Sequence, residues 1–218
     1  MASSRPKLTD FQRQVLEAFF EREKGFFLTG GGALAGFHLR HRATDDLDFF
    51  TAEAAAFERG PHVLADVAAT LGASMLVRQE TTGFHRYVLS RGDEGVIVDL
   101  VHDRVPQLHV EKEHRDGITI DRPEEILANK LTTIASRSEI RDLVDVMTLE
   151  RTGYSVNEAL KGALEKDGGC TPATLAWVLA QVEISEDAKL PGDISGAEMS
   201  EYLRDLIRRL RRAAAPGG

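Results

Sequence analysis

The sequence has one cysteine, no long apolar run and no recognisable export signal. Cys170 cannot form a disulfide within the chain, and a cysteine zinc knuckle needs at least two thiolates. No stretch of about 18 consecutive apolar residues is present, which excludes a membrane span. The first ten residues, MASSRPKLTD, lack the apolar core of a signal peptide. We therefore expect a cytoplasmic protein that has no membrane partner.

Also missing are the histidine and serine patterns of common metal and hydrolase sites. None of the seven histidines has H-x-x-x-H or H-E-x-x-H spacing, so a zinc site is not expected. No G-x-S-x-G motif occurs, which argues against a hydrolase nucleophile elbow. The net charge of −8 argues against a surface that binds nucleic acid over its whole extent, although it permits a local basic patch.

Hydrophobic periodicity divides the chain into an α/β part and a helical part. Thr9 and Gln12 have capping-box spacing before an amphipathic helix that Gly25 ends. Segments separated by glycine and turn residues predict further strands at DDLDFFT, SMLVRQE, HRYVLSR, GVIVDLV and GITI. From Pro123 onwards the pattern is helical. We predict an α/β or α+β core over residues 1–121 and a helical domain over 122–218.

The stretch FFLTGGGALAG, residues 26–36, predicts a strand, a glycine turn and a helix, an arrangement that holds phosphate groups. Gly30, Gly32 and Ala35 also fit the dinucleotide fingerprint G-x-G-x-x-G/A. In that fold an acidic residue ends the second strand, after apolar residues. Here the polar stretch HLRHRATDD comes first and the apolar residues follow it. This order excludes the dinucleotide-binding interpretation.

Asp46 and Asp48 are two residues apart on the predicted strand DDLDFFT, so both side chains lie on one face. Leu47 and Phe49 then face the core. Two adjacent carboxylates repel each other and need a compensating charge, for which a magnesium ion is well suited. The alternative is a solvated acidic turn, and this is the interpretation that we give to Asp45.

Asp99 interrupts the apolar strand GVIVDLV. A buried lone carboxylate is costly unless it is paired or bound to metal. A structural salt bridge is one explanation, and a third metal ligand or general base beside Asp46 and Asp48 is the other. Three carboxylates can hold two metal ions, which activate an attacking hydroxyl and neutralise a leaving pyrophosphate.

The glycine turn and the aspartates are expected to form one small site. Backbone N–H groups at Thr29, Gly30 and Gly31, at the positive end of a helix, attract phosphate. A helix over about residues 33–40 runs roughly 12 Å, and a loop then returns the chain to a strand beside the turn. Phosphates at the turn and metal at the aspartates would therefore lie close together.

This set of features resembles the polymerase-β-like nucleotidyltransferase superfamily, whose fold is a small mixed sheet with flanking helices. More specifically, FFLTGGGALAGFHLRHRATDDLDFF resembles the AbiEii/AbiGii toxin family. Gly30, Gly31, Asp46 and Asp48 match the glycine pair and the D-x-D segment of that family, and Thr44 takes the place of a frequent serine. The resemblance runs from about residue 20 to 150.

The second motif of the family, a lysine on one helix and an Arg-Asp pair on the next, matches ILANKLTTIASRSEIRDLVDV. Lys130 falls within the apolar stripe of its helix, where it either extends to solvent or points at a nucleotide triphosphate. Arg141 and Asp142 are candidates for the same site by resemblance. Helix geometry places Arg141 and Asp145 on one flank, where they could pair, and predicts that Asp142 points away from them.

The resemblance implies a magnesium-dependent enzyme, with two ions possible, that transfers an NMP from an NTP to a hydroxyl and releases pyrophosphate. The acceptor would be tRNA or a protein side chain, and the enzyme would be the toxin of a bacterial toxin–antitoxin or phage-defence pair with a cognate antitoxin. The metal ligands would be Asp46, Asp48 and Asp99, with Asp99 alternatively taking the proton of the acceptor. The phosphate-binding and nucleotide-binding residues would be Thr29, Gly30, Gly31, Lys130, Arg141 and Asp142.

Two other functions remain open from the sequence. A small-molecule nucleotidyltransferase of the antibiotic-modifying kind has the same core, and so does a protein that binds nucleotides or partners without catalysis. A tRNA acceptor predicts a broad basic groove, whereas a small acceptor predicts a closed acidic pocket. Five arginines against two acids in residues 201–218 make the last helix either such a basic patch or a solvated terminal helix.

Three further expectations concern single residues. Asp121 is predicted to cap the helix that begins near Pro123. Trp177 is predicted to pack in the helical core. Arg42, in the loop before the D-x-D strand, is interpreted as solvated, with contact to phosphate as the alternative.

Overall fold

The computed structural model describes residues 7–215, which form two compact units. The first unit runs to Val105 and resumes from His109 to Arg122. The second holds the chain from Pro123 onwards together with the short loop segment Pro106–Leu108. The first unit is mixed α/β and the second is helical, and this confirms the predicted fold class. No helix within residues 7–215 is both long enough and apolar enough to cross a membrane.

A seven-stranded mixed sheet organises the first unit, in the order β3-β4-β5-β2-β1-β7-β6. The β1–β7 and β2–β5 pairs are parallel, and the other neighbouring pairs are antiparallel. The strands are β1 Phe27–Thr29, β2 Asp46–Thr51, β3 Ser74–Thr81, β4 Phe84–Arg91, β5 Glu94–His102, β6 Glu113–Arg115 and β7 Ile118–Ile120.

Two helices, α1 (Asp10–Arg22) and α3 (Ala54–Thr70), contact the sheet and each other. The buried residues of the central strands alternate with less buried ones, as expected for strands with one core face. The rings of Phe19 and Phe49 are 4.6 Å apart, and Phe20 and Phe26 extend this aromatic cluster. The capping box of Thr9 and Gln12 is present at the start of α1, as predicted.

The helix after the glycine turn begins earlier than predicted. Helix α2 spans Gly30–Ala33 and continues directly into a π-helical turn over Leu34–His38. The predicted start at Ala33 is therefore wrong, because Gly30 and Gly31 are themselves the first residues of the helix. π-Helical turns are rare and are frequently found beside functional sites.

The second unit contains five α-helices and a short 3-10 turn at Pro191–Asp193. The helices are α4 Pro123–Ser136, α5 Ile140–Arg151, α6 Val156–Lys166, α7 Pro172–Leu179 and α8 Gly196–Ala213. A buried ion pair joins Lys166 to Glu125, and the Lys166 ammonium also donates to the Pro106 carbonyl oxygen at 2.9 Å. Leu108 lies against Gly162, where a Cβ would overlap it. These contacts explain why the loop segment belongs to the helical unit.

The tryptophan prediction is wrong, because Trp177 on α7 is 68% exposed. The apolar stripe of α8 is present, with Leu203, Leu206 and Leu210 buried. Arg209 binds Glu150 on α5 through two hydrogen bonds of 2.6 and 2.7 Å. That arginine therefore has a structural role within the helical unit.

Glu23, after the end of α1, provides a test of pH-dependent stability. Its carboxylate accepts hydrogen bonds from Arg59 at 2.9 and 3.2 Å and from the Gly25 N–H at 2.8 Å. Burial raises the pKa of Glu23, but the Arg59 and backbone hydrogen bonds and the Arg59 charge outweigh burial and lower it. A lowered carboxyl pKa stabilises the fold above the ordinary glutamate value of about 4.3, and this contribution is lost as pH falls through the folded value.

Replacing Glu23 with Gln is therefore expected to lower the Tm at pH 7, by about 2–4 °C for each kcal/mol lost. The difference from the wild-type protein should shrink below about pH 4.3 and disappear once the pH is below the lowered pKa of Glu23. Thermal unfolding followed by circular dichroism at pH 7 and pH 3 measures both effects. Glu21→Gln, at an exposed side chain of the same helix, is the matched control. An equal Tm loss at both pH values would contradict the prediction.

Candidate active site

The glycine turn touches the D-x-D strand. Thr29, the last residue of β1, is the register partner of Asp48 on β2. Gly30 follows with a φ of +59°, and a Cβ on Gly30 would overlap the Asp48 carboxylate. Glycine is needed here both for the left-handed backbone and for the close approach. The structure therefore places the turn and Asp48 together, as the sequence predicted.

Asp46 and Asp48 lie on one face of β2, as predicted, and Leu47 and Phe49 are fully buried on the other. The Thr44 hydroxyl donates to the Asp46 carboxylate at 2.7 Å. Both aspartates are only partly buried. Two carboxylates of one strand are thus presented on the same side as the turn.

Asp99 on β5 is the register partner of Asp48, and Arg86 on β4 is the register partner of Asp99. Because β4, β5, β2 and β1 are consecutive in the sheet, Thr29, Asp48, Asp99 and Arg86 form a continuous row across four strands. We call these four residues the polar row. Residues directly opposite each other on neighbouring strands lie on the same face, so the third predicted acid does join Asp46 and Asp48.

Arg86 was not identified from the sequence, and it forms the salt bridge that was one of the two explanations for Asp99. Its Nε and Nη2 atoms donate to the two Asp99 carboxylate oxygens at 2.8 and 2.6 Å. The hydrogen bond to Asp99 raises the pKa of Arg86, burial opposes this, and the charges of Asp99, Asp46 and Asp48 raise it further. All three aspartates are therefore close enough to Arg86 to stabilise its charge.

The donor atoms fit a divalent cation at Asp46 and Asp48. No group of three or more His, Cys, Asp or Glu side chains within residues 7–215 is arranged as a metal site. This agrees with the bidentate pairing of Asp99 to Arg86. Magnesium is commonly held by one or two carboxylates, with water and substrate phosphate oxygens as the other ligands. The Asp46–Asp48 pair meets that requirement, and the cation would lie beside the glycine turn.

Asp121 makes long-range contacts within the first unit, and its predicted role as a helix cap stays a prediction. It is fully buried, and its carboxylate accepts hydrogen bonds from the Thr29 hydroxyl and the Lys112 ammonium, both at 2.8 Å. The His38 ring bonds to the Asp121 carbonyl oxygen at 2.8 Å. These contacts connect β1 and the end of the π-helical turn to the segment after β7. They fix the position of the turn, and no local sequence pattern indicated them.

Arg42 is buried, so its interpretation as a solvated loop residue is wrong. Its guanidinium packs under the glycine turn, where a Cβ on Gly31 would lie 2.9 Å from Arg42 Nη2. Its Nη1 atom donates to the Ala43 carbonyl oxygen at 3.0 Å. Gly31 is thus required for close packing, whereas Gly30 is required for its backbone conformation as well.

In the helical unit, Lys130 forms a buried ionic cluster with Asp142 and Asp145. Its ammonium lies 2.6 Å from Asp142 Oδ1 and 2.9 Å from Asp145 Oδ2, and its side chain is 13% exposed. Lys130 therefore does not extend to solvent. Burial lowers the pKa of Lys130, but the charges of Asp145 and Asp142 and their hydrogen bonds outweigh burial and raise it. The side chain is an ammonium ion at neutral pH.

This cluster corrects the predicted geometry of α5. Asp142 does not point away from Asp145, because the two are three residues apart and share the same lysine. Asp145 pairs with Lys130 and is fully buried, whereas Arg141 is exposed. The spacing of Lys130, Asp142 and Asp145 thus produces an ion pair between two helices.

Replacing Gly30 with Ala is expected to destabilise the protein. The left-handed backbone costs about 1–2 kcal/mol for a residue with a Cβ, and the overlap with Asp48 adds to this. Gly92 is the matched control, because it has a φ of +57° and no atom within 4 Å of an added Cβ. Denaturant titration should show a larger loss in the free energy of unfolding for Gly30→Ala than for Gly92→Ala. Equal losses would contradict the close approach of Asp48.

Comparisons with known proteins identify the family and the fold. The sequence profile of the nucleotidyl transferase AbiEii toxin family, from type IV toxin–antitoxin systems, matches residues 14–215. JHP933 from Helicobacter pylori has a similar structure, with a TM-score of 0.56 and 19% identity over 93% of this chain and 91% of that one. MenT4, a nucleotidyltransferase toxin from Mycobacterium tuberculosis, has a TM-score of 0.54 and 12% identity over 92% and 82%.

No curated protein sequence matches this one significantly. At these identities the two structural similarities concern the fold alone, and it is the fold of known nucleotidyltransferases. The profile match covers nearly the whole chain and includes the glycine turn, the polar row and the lysine cluster. The protein therefore belongs to the AbiEii family of nucleotidyl transferase toxins.

Proposed function

We propose that the protein is a metal-dependent nucleotidyltransferase that transfers an NMP from an NTP to a hydroxyl acceptor and releases pyrophosphate. The observation that carries this proposal is the contact between the Gly30 backbone and the Asp48 carboxylate. This contact supports the proposal because the turn that we propose to bind phosphate lies against the carboxylate pair. An NTP bound with its phosphates at the turn would present them to a cation on Asp46 and Asp48.

The residues of the first unit have distinct parts in this proposal. Backbone N–H groups of Thr29, Gly30 and Gly31 would hold phosphate oxygens. Asp46 and Asp48 would hold the cation, with Asp46 oriented by the Thr44 hydroxyl. When bound, the cation supplies charge neutralisation at the pyrophosphate and activation of the acceptor hydroxyl. These assignments come from the sequence pattern and are supported by the shared face of the residues.

Three further assignments come from the sequence and the family resemblance. Asp99 is proposed as a third metal ligand or as the group that takes the proton of the acceptor, and either role requires that Arg86 release it. Lys130 is proposed to contact phosphate, with Arg141 and Asp142 as further nucleotide-binding candidates. Nucleotide affinity of single variants tests these assignments one by one.

We propose that residues 1–121 form the nucleotidyltransferase core and residues 122–218 a helical domain. Membership of a toxin family supports a cognate antitoxin as partner and a role in a bacterial toxin–antitoxin or phage-defence pair. The proposed acceptor is tRNA or a protein side chain, and the proposed location is the cytoplasm. Growth arrest on expression, relieved by Asp48→Asn, is the expected result in cells.

The acceptor is identified by incubating the protein with each α-labelled NTP, Mg²⁺, total tRNA and cell extract. We expect the label to enter tRNA or protein with the wild-type protein and not with Asp48→Asn. Label in a small molecule would favour the antibiotic-modifying alternative. If no acceptor is labelled with any NTP, or if Asp48→Asn labels it equally, the proposal fails.

A further inference from the structure

Arg86 is the one cation of the polar row, and its position is fixed by the register of the sheet. It lies directly opposite Asp99, and Asp99 lies directly opposite Asp48. Arg86 and Asp99 form a two-point pair in which the planar guanidinium matches both carboxylate oxygens. Such pairing is specific to arginine, because a lysine ammonium cannot present this fork.

The pair has one buried and one partly exposed member. The Asp99 side chain is 5% exposed and the Arg86 side chain 43% exposed. The Arg86 guanidinium also lies over the Phe84 ring, 5.4 Å from its centroid, which helps to hold it. If a cation displaced Arg86, it would have to replace two charge-assisted hydrogen bonds to a buried carboxylate. A cation bound at Asp46 and Asp48 alone would avoid this cost.

Charge balance leads to the same arrangement. Asp46, Asp48 and Asp99 together carry three negative charges when ionised, and Arg86 contributes one positive charge. Arg86 thereby balances the charge of Asp99 within the protein. In sites with two metal ions the second ion supplies the additional positive charge, and here the protein supplies a positive charge itself.

We propose that Arg86 takes the place of a second metal ion, so that Asp99 is neutralised within the protein and one divalent cation binds at Asp46 and Asp48. This inference rests on the proposed function and makes it more specific, because it replaces the assignment of Asp99 as a metal ligand or proton acceptor with that of a partner held by Arg86. Arg86 is a positioning residue: it holds Asp99 away from the cation and sets the number of ions at one. The inference also explains why the three aspartates do not form a three-ligand metal site in residues 7–215.

Mn²⁺ binding to the nucleotide-free protein tests the proposal without an activity measurement. Electron paramagnetic resonance counts free Mn²⁺ in titrations of the wild type, Arg86→Gln, the double variant Arg86→Gln/Asp99→Asn, and Asp48→Asn. We expect one ion per wild-type chain, lost in Asp48→Asn. Arg86→Gln frees a third carboxylate and should bind Mn²⁺ at least about tenfold more tightly or bind a second ion. The double variant keeps the net charge of the polar row, so its Mn²⁺ affinity should stay within about twofold of the wild-type value.

Two results would overturn the inference while leaving the proposed function intact. One is that Arg86→Gln binds the same number of Mn²⁺ ions as the wild type, with the same affinity. The other is a loss of Mn²⁺ affinity of about tenfold or more in the double variant, which would make Asp99 a metal ligand in the wild-type protein. If no Mn²⁺ binding depends on Asp48, both the inference and the proposed function are contradicted. Circular dichroism verifies folding, and the double variant, which leaves no unpaired charge, keeps the test valid if Arg86→Gln alone does not fold.

Discussion

Replacing Asp48 with Asn is expected to lower the rate of nucleotidyl transfer by about 1,000-fold or more. The variant loses one of two carboxylates for the cation, and cation stabilisation of transition-state charge is worth several kcal/mol, of which about 4 kcal/mol corresponds to this factor. Incorporation of label from an α-labelled NTP into the acceptor measures the rate.

The same variant is expected to remain folded. Asp48 lies beside two other carboxylates, and the repulsion relieved by removing its charge offsets the lost attraction to Arg86. Asp45→Asn is the control, because Asp45 is exposed and directly precedes the strand. Activity lost to the same extent in both variants, or retained in Asp48→Asn, would show that Asp48 does not hold the cation.

Replacing Lys130 with Met is expected to destabilise the protein by about 3–5 kcal/mol, the usual cost of removing one partner of a buried ion pair. Asp142 and Asp145 would then be buried without their shared ammonium. The free energy of unfolding from a urea titration measures this loss. A loss in the free energy of unfolding below about 1 kcal/mol would be typical of an exposed ion pair and would contradict the buried cluster.

Lys166→Met separates stability from nucleotide binding. Lys166 is also a buried, ion-paired lysine of the helical unit, with Glu125 as its partner, but it has no predicted contact with phosphate. Both variants should be destabilised. At a temperature where both remain folded, only Lys130→Met should bind NTP more weakly, by about tenfold, equal to about 1.4 kcal/mol. Equal NTP affinities would limit Lys130 to a structural role.

Local sequence patterns predicted the parts of the site that depend on neighbouring residues. The two-residue spacing of Asp46 and Asp48 fixed their common face, and the glycines before them fixed the turn. The register of β4 against β5 also follows from a short sequence pattern. Gly92 and Asp93 form a two-residue turn between β4 and β5, and counting outwards from Arg91 and Glu94 places Arg86 opposite Asp99.

Other features depend on tertiary contacts that no local pattern contains. Arg42 is buried because it fills the space under Gly31, a glycine with no side chain of its own. Asp121 reaches Thr29 across 92 residues of chain. Trp177 was predicted to pack in the helical core, yet its side chain is exposed. Residue type alone does not decide such cases, because which side of a short helix packs depends on its neighbours.

The most direct test of the central claim compares α-labelled and γ-labelled NTP in parallel reactions with the same acceptor. The site described here predicts that the α-label enters the acceptor and that the γ-label leaves in pyrophosphate. Transfer should require a divalent cation and should be lost in Asp48→Asn but not in Asp45→Asn. Entry of the γ-label into the acceptor, or transfer that persists with a chelator present, would contradict nucleotidyl transfer at Asp46 and Asp48.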